Sequence, residues 1–219
     1  MAQHVEAMKM TVNDATDPPI IVIGNGPVGL RVAEELQKSQ SDTPLLIFGE
    51  EPHEPYSRLR LSSWLAGDTD WFGLMRPMSA LEPEGVQQRI GYRVVSLTPA
   101  EKTVTDDSGA TWGYRKLVLA TGSSAHVPRI PGVQLPGVYR FHGLDDAMAL
   151  LARRAGSHHS IIVGAGLLGR EAARGMPRGG PRVTGIEQAD RVLPMLLVVR
   201  GSAWVADQLG RLGVAEVLG

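Results

Sequence analysis

The stretch IIVIGNGPVG at residues 20–29 decides the fold. Ile20–Ile23 is a β-branched run, the composition of a strand buried on both faces. It runs directly into Gly24-Asn25-Gly26-Pro27-Val28-Gly29, and a helix is predicted to follow. Pro27 falls in the first helical turn, where a missing N–H costs nothing. Val28, Val32 and Leu36 recur at helical spacing as an apolar stripe, with Arg31, Glu34, Glu35 and Lys38 turned away. Leu45–Phe48 reads as a second buried strand ending at Gly49-Glu50-Glu51. The three glycines have separate tasks. The first permits a tight turn, the second lets a pyrophosphate approach the backbone, and the third lets helix and strand pack closely. Free N–H groups at the helix N-terminus suit the phosphate charge.

The pattern returns at SIIVGAGLLG, residues 160–169. Ser160–Val163 reads as a strand, Gly164, Gly166 and Gly169 mark the turn, and a helix is placed at Glu171–Met176. Val183–Ile186 is a further strand, ending at Glu187. The copies begin 140 residues apart, at Gly24 and Gly164, which is a duplicated module rather than a solenoid. Glu50 lies 21 residues after Gly29, and Glu187 lies 18 after Gly169, the place of an acid that accepts ribose hydroxyls. An acid at Glu187 also repels a 2′-phosphate and favours NADH over NADPH. A bare βαβ connection is the alternative for either copy; strand, helix and acid around both turns weigh against it.

Between the copies, Pro52–Gly67 reads as a loop with a helical turn near Leu59–Leu65. Val86–Ile90, Tyr92–Leu97, Lys102–Thr105 and Thr111–Tyr114 read as one meander. Leu117–Ala120 is another buried strand, closing on Thr121-Gly122. Residues 128–137, rich in Pro and Gly, form a connector, and Asp145–Arg154 fits a helix. Met75, Met78 and Trp71 are assigned to packing, and His158-His159 to an exposed loop without metal-ligand spacing.

Composition narrows the function. Lys+Arg number 22 against 23 Asp+Glu, so no basic excess collects nucleic acid. No apolar run approaches the roughly 20 residues that span a bilayer, so no membrane contact is expected. The first 18 residues read as a flexible tail rather than a secretory signal, which points to the cytoplasm. Cysteine is absent from the 219 residues, which excludes disulfides, thiolate metal sites and thiol redox chemistry within them; no metal site is expected. Glycine is enriched, at 26 residues, and concentrates in the two turns.

These motifs, with GEEPHEPYSRLRLSSWLAG at 49–67, KLVLATGSSAHVPRIPG at 116–132 and LPGVYRFHGLDDA at 135–147, resemble the FAD- and NAD(P)-dependent pyridine nucleotide oxidoreductases. The likeness is strongest to the flavoprotein part of nitrite reductase large subunits and to rubredoxin reductases. It implies that Gly24, Gly26, Pro27 and Gly29 hold the FAD pyrophosphate, that Glu50 meets the adenosine ribose, and that Arg58 runs beside the flavin. Ala120, Thr121 and Gly122 would close the FAD site. Gly164, Gly166, Leu168, Gly169 and Glu187 would hold NAD(P)H, and Glu171 matches the family glutamate beside the hydride-transfer face. Plainer roles stay open for three of them: a solvated arginine at Arg58, a strand-end acid at Glu50, and a helix-dipole acid at Glu171.

The expected fold is therefore α/β, with two Rossmann-like dinucleotide-binding domains, each three-layered on a mainly parallel sheet. The boundaries are 19–140 for FAD and 141–219 for NAD(P), the second inserted and incomplete. The expected activity is electron transfer from NADH through FAD to an acceptor protein or a nitrite-reductase-type module, with oligomerisation left open. The alternative is a truncated, catalytically inactive nucleotide-binding module, or a subunit completed by another chain. Residues 192–203 (VLPMLLVVRGSA) are more apolar than the resemblance leads one to expect, and Pro177 is placed to shorten the second helix.

Overall fold

The computed structural model describes residues 18–39, 43–76, 86–154, 156–176 and 182–219. The tail up to residue 17, Met78 and Pro177 lie outside the described residues. The chain divides into two compact units. The first takes the described residues up to Ser57 together with Met75–Ser123; the second takes Arg58–Leu74 with Ser124–Gly219.

The first unit contains β1 (Ile20–Ile23), α1 (Pro27–Ser39), β2 (Leu45–Gly49), β3 (Val86–Ile90), β4 (Val94–Thr98), β5 (Thr103–Asp106), β6 (Thr111–Gly113) and β7 (Lys116–Leu119). Its main sheet has the order β3-β2-β1-β7, with every pair parallel. Successive side chains on a strand point to opposite faces, so each strand serves two cores. Ile20, Val22, Leu45 and Ile47 pack with Leu30 and Ala33 of α1. Ile21, Leu46 and Phe48 pack on Val104 and, with it, on Trp112 and Val94, from the antiparallel sheet β4-β5-β6. Phe48 meets Trp112 edge-on at 5.8 Å. This is a three-layer α/β unit.

Two expectations are corrected. Val86–Ile90 is not part of the meander but pairs in parallel with β2. Gly91, at φ +76°, turns the chain away directly after β3. Val28 is exposed, and α1 buries Gly29, Leu30 and Ala33 instead. Val32 and Leu36 pack against the core as expected, and only in the first turn does the close approach of Gly29 to the Gly24 carbonyl leave Val28 outside.

The second unit has a 3₁₀ turn at Arg58–Arg60, then α2 (Leu61–Ala66), α3 (Trp71–Leu74), α4 (Leu144–Arg154), β8 (His159–Val163), α5 (Leu167–Gly175), β9 (Arg182–Glu187), α6 (Val199–Arg211) and β10 (Val214–Leu218). The sheet is parallel in the order β10-β9-β8. Helix α5 starts four residues before the expected Glu171, and α6 and β10 are elements that the sequence pattern does not predict. Leu65, Ala173, Met176, Val183, Leu209 and Val214 form the core on one face. The apolar segment 192–203 is divided: Val192 is buried, and its carbonyl accepts the Ser202 hydroxyl at 2.7 Å, while Met195, Val198 and Val199 are exposed. Trp71 stacks edge-on against Trp64, a packing role, and His159 opens β8 with its Nε2 2.8 Å from the Thr184 hydroxyl.

The two sheets are built alike but covered differently. Ile21 and Phe48 are 0% and 1% exposed under the antiparallel sheet. Their counterparts at the same register positions, Ile161 and Ile186, are 59% and 39% exposed. Among the described residues, no helix is long and apolar enough to cross a membrane.

Asp106, buried at the end of β5, fixes the β5–β6 turn. It accepts the Ser108 N–H (3.0 Å), the Ser108 hydroxyl (2.5 Å), the Ala110 N–H (3.1 Å) and the Trp112 indole N–H (2.9 Å). Burial pushes its pKa up, but these donors outweigh it and hold the carboxyl below its ordinary value. A lowered folded pKa adds stability that is complete above the unfolded value and is lost as pH falls through the folded one. Asp106→Asn is expected to cost about 2 kcal/mol at neutral pH. In denaturant titrations, the gap to wild type should close on the acid side; equal stability at neutral pH would refute this account.

Candidate functional site: two glycine turns

In each unit the turn sits at the carboxyl end of the first parallel strand, where ligands of open α/β sheets bind. In the first, Gly24 has φ +112° and donates its N–H to the Phe48 carbonyl at 2.8 Å. A Cβ at Gly24 would collide with the Ala120 carbonyl, and one at Gly29 with the Gly24 carbonyl. A Cβ at Gly26 would meet nothing within 4 Å. The outer glycines are thus demanded by packing, and the middle one leaves the helix N-terminus open. Pro27 is the first residue of α1, as expected.

Ala120 follows β7 beside the turn and donates its N–H to the Ile23 carbonyl at 2.8 Å; Thr121 and Gly122 (φ +70°) come next and are exposed. Glu50 is the first residue beyond β2 and pairs with Arg93 at 3.5 Å on the surface. The neighbouring Glu51 accepts the Tyr56 hydroxyl at 2.6 Å. The first unit therefore gathers Gly24, Gly26, Pro27, Gly29, Glu50, Ala120, Thr121 and Gly122 at one end of its sheet. Arg58 belongs to the second unit, where its guanidinium donates to the His142 carbonyl at 3.1 Å.

The second turn repeats the backbone. Gly164 has φ +97° and donates to the Ile186 carbonyl at 2.9 Å; Gly169 has no room for a Cβ against the Gly164 carbonyl; Gly166 is open. Leu168 and Glu171 are exposed on the first turns of α5. Glu187 ends β9, and its carboxylate grips the turn itself. One oxygen accepts the Ala165 N–H at 2.8 Å, and the other accepts the Ala189 N–H at 3.1 Å. The Ala189 bond, then the Ala165 bond, hold its pKa below the ordinary value, so it is a carboxylate at neutral pH.

In strand register, the position of Glu187 is taken in the first unit by Gly49, and there the Asn25 side chain lies where a Gly49 Cβ would go. The acid of the first copy is displaced one residue outward, to Glu50. Sequence reading also missed Arg170. It is buried, donates Nε–H to the Ala165 carbonyl at 2.9 Å, and pairs with Glu216 of β10 at 2.9 Å. A signal was present: the first copy has apolar Leu30 at this position, so an arginine stands in the helical stripe.

Both turns fit a dinucleotide, on the ground that each middle glycine is unobstructed at a helix N-terminus, whose first N–H groups have no intrahelical partner. These features define a chain with two dinucleotide-binding βαβ units. The sequence pattern of the pyridine nucleotide-disulphide oxidoreductases matches residues 18–219, and the chain belongs to that family, whose members use FAD with NAD(P)H as electron donor.

The chain is 32% identical over 201 residues to a nitrite reductase [NAD(P)H] of Bacillus subtilis, covering 91% of this chain and 25% of that one. It is 32% identical over 210 residues to the ferredoxin reductase component of chlorobenzene dioxygenase from a Cupriavidus species, covering 91% and 49%. The solved ferredoxin reductase of the CYP199A2 system from Rhodopseudomonas palustris superposes with a TM-score of 0.85 at 27% identity, covering 93% of this chain and 50% of that one. The chain thus spans about half, or less, of the length of these relatives.

The glycine geometry separates fold from binding. Gly29→Ala forces a Cβ into the Gly24 carbonyl and should destabilise by about 3 kcal/mol. Gly26→Ala should change stability by less than about 1 kcal/mol, because its Cβ enters open space. It should nevertheless lower the flavin retained on purification. Melting curves beside flavin-to-protein absorbance ratios check both; equal melting losses in the two variants would contradict the assignment.

Proposed function

We propose that the chain is the dinucleotide-handling part of an NAD(P)H-dependent flavoprotein reductase, taking electrons from NADH through FAD to a separate acceptor protein. What supports this is one observation above the others: two glycine turns of the same backbone geometry, each open at its middle glycine, in one chain of this family. In this reading residues 19–140 bind FAD and residues 141–219 bind NAD(P)H. When bound, the nicotinamide supplies a hydride and the flavin accepts it; the protein contributes binding, orientation and electrostatics.

The residues divide the work as follows. The backbone at Gly24, Gly26, Pro27 and Gly29 holds the FAD pyrophosphate, Glu50 accepts ribose hydroxyls, Arg58 provides a cation beside the flavin, and Ala120, Thr121 and Gly122 close the site. In the second copy Gly164, Gly166, Leu168 and Gly169 hold NAD(P)H, and Glu171 faces the transfer site. Glu187, already ionised and fixed at the turn, accepts ribose hydroxyls and repels a 2′-phosphate, so NADH is preferred. With no cysteine in these 219 residues, no dithiol relay is available within them, and electrons pass to another molecule. The named relatives point to a ferredoxin-type protein or a nitrite-reductase module as acceptor.

A second reading is a nucleotide-binding module that turns over only when another polypeptide completes it. It is favoured by the exposed apolar face of the second sheet at Ile161, Val163 and Val217.

The deciding experiment is anaerobic. The purified chain should carry a flavin spectrum that NADH bleaches, with reoxidation by an added ferredoxin. Retained flavin that NADH fails to bleach would refute the reductase reading and leave the second. Substituting Glu187→Ala should weaken NADH binding about tenfold and NADPH binding less. Calorimetric dissociation constants measure the ratio, and an unaltered ratio would remove Glu187 from cofactor selection.

A further inference from the structure

We propose that Arg170 is a positioning residue for the second glycine turn, and that its buried pair with Glu216 makes dinucleotide binding there depend on β10. The inference rests on the reading of this turn as the NAD(P)H site.

The inward face of α5 carries Arg170 and Ala173; Ala173, with Met176 just past the helix, belongs to the apolar core. Arg170 is 8% exposed and Glu216 12%. A pair this dry is poorly screened by salt, but it carries the desolvation of two charges. Nη1, although it lies 2.9 Å from the Glu216 carboxylate as an ion pair, and Nη2 are both buried and make no hydrogen bond among the described residues. The first copy shows that the fold accepts the cheaper solution, since Leu30 fills the same place with a side chain of the core. The charged pair therefore serves something particular to the second turn.

Its action is on one peptide plane. The Ala165 carbonyl and the Gly166 N–H belong to the same planar trans peptide and point in opposite directions. Arg170 Nε holds that carbonyl at 2.9 Å, so the Gly166 N–H points the opposite way, away from Arg170. Glu187 meanwhile takes the N–H of Ala165 at 2.8 Å. Residue 165 is thus pinned on both sides, and the N–H of Gly166 is aimed before any anion arrives. Glu216 anchors the guanidinium from β10, the strand at the edge of this sheet. Losing either charge frees the peptide to rotate, and the N–H then has to be oriented at the expense of binding.

The test uses the full chain. Arg170→Leu/Glu216→Leu removes the pair without stranding a buried charge, and its melting temperature should equal or exceed that of wild type. Its dissociation constant for NADH should nonetheless rise about tenfold, the loss of one charge-assisted hydrogen bond. FAD retention at the first turn should not change. The Gly166 amide resonance should shift in the variant before ligand is added. Glu216→Gln, a milder change, should weaken NADH in the same direction by a smaller factor. NADH affinity within twofold of wild type in the double variant, or an unmoved Gly166 amide, would overturn the proposal. Failure of the unmodified chain to bind NADH at all would instead overturn the reading of the site, and the proposal with it.

Discussion

The contact on which both units depend is the one that leaves no room for a side chain at Gly29 and Gly169. In each copy the third glycine of the turn lies against the carbonyl of the first. That approach brings the helix onto the strand within one turn of its start and fixes the direction of its axis. Its first N–H groups then open at the carboxyl edge of the sheet. The rest follows from this placement. The helix covers one face of the parallel sheet, neighbouring strands align in register with the first, and the loops beyond them gather around a ready-made anion site.

Much of this could be read from residues. The β-branched runs, the glycine spacing and the acids past the second strands located both strand–turn–helix units and their relation by duplication. What escaped detection shares a physical cause. Val86–Ile90 has the length and composition of a meander strand, and only its partner, β2, makes it a member of the parallel sheet. Val28 satisfies the helical period but is displaced by the packing of Gly29. Periodicity reports that a helix has a face, whereas the closest contact decides where along the helix that face begins. Helix α6 and strand β10 were hidden because the apolar segment before them mixes buried Val192 with exposed Met195 and Val198, so no period of 2 or 3.6 stands out. Arg170 and Glu216 are legible only in part. Leu30 at the matching place of the first copy marks Arg170 as an inward position, but a salt bridge between residues far apart in the chain leaves no local pattern that names Glu216 as its partner.

The two copies also show how one backbone geometry can carry different electrostatics. In the first, a neutral amide from Asn25 lies over Gly49 at the end of the second strand. In the second, a carboxylate takes that place and is drawn onto the turn by backbone N–H groups, while a buried guanidinium, paired with Glu216, holds the Ala165 carbonyl. The first arrangement leaves the strand end uncharged and moves the acid outward to Glu50, which is exposed. The second builds charge into the turn itself. Such a difference in electrostatics, laid over the same glycine geometry, is how a duplicated unit can come to prefer different dinucleotides without changing its fold.

The division of the chain bears on how it is made. Arg58–Leu74 lies in the second unit, although the chain before and after it builds the first. Leu65, fully buried there, finds its companions in Val183, Leu209 and Val214, which leave the ribosome only after more than half the chain has followed it. The first unit, by contrast, can close its sheet as soon as Leu119 emerges to pair with Ile23. Synthesis from the N-terminus thus presents one finished unit from which an apolar helix stays unpaired while the rest is translated. That interval, set by sequence separation rather than by stability, is when the nascent protein would lean most on a chaperone.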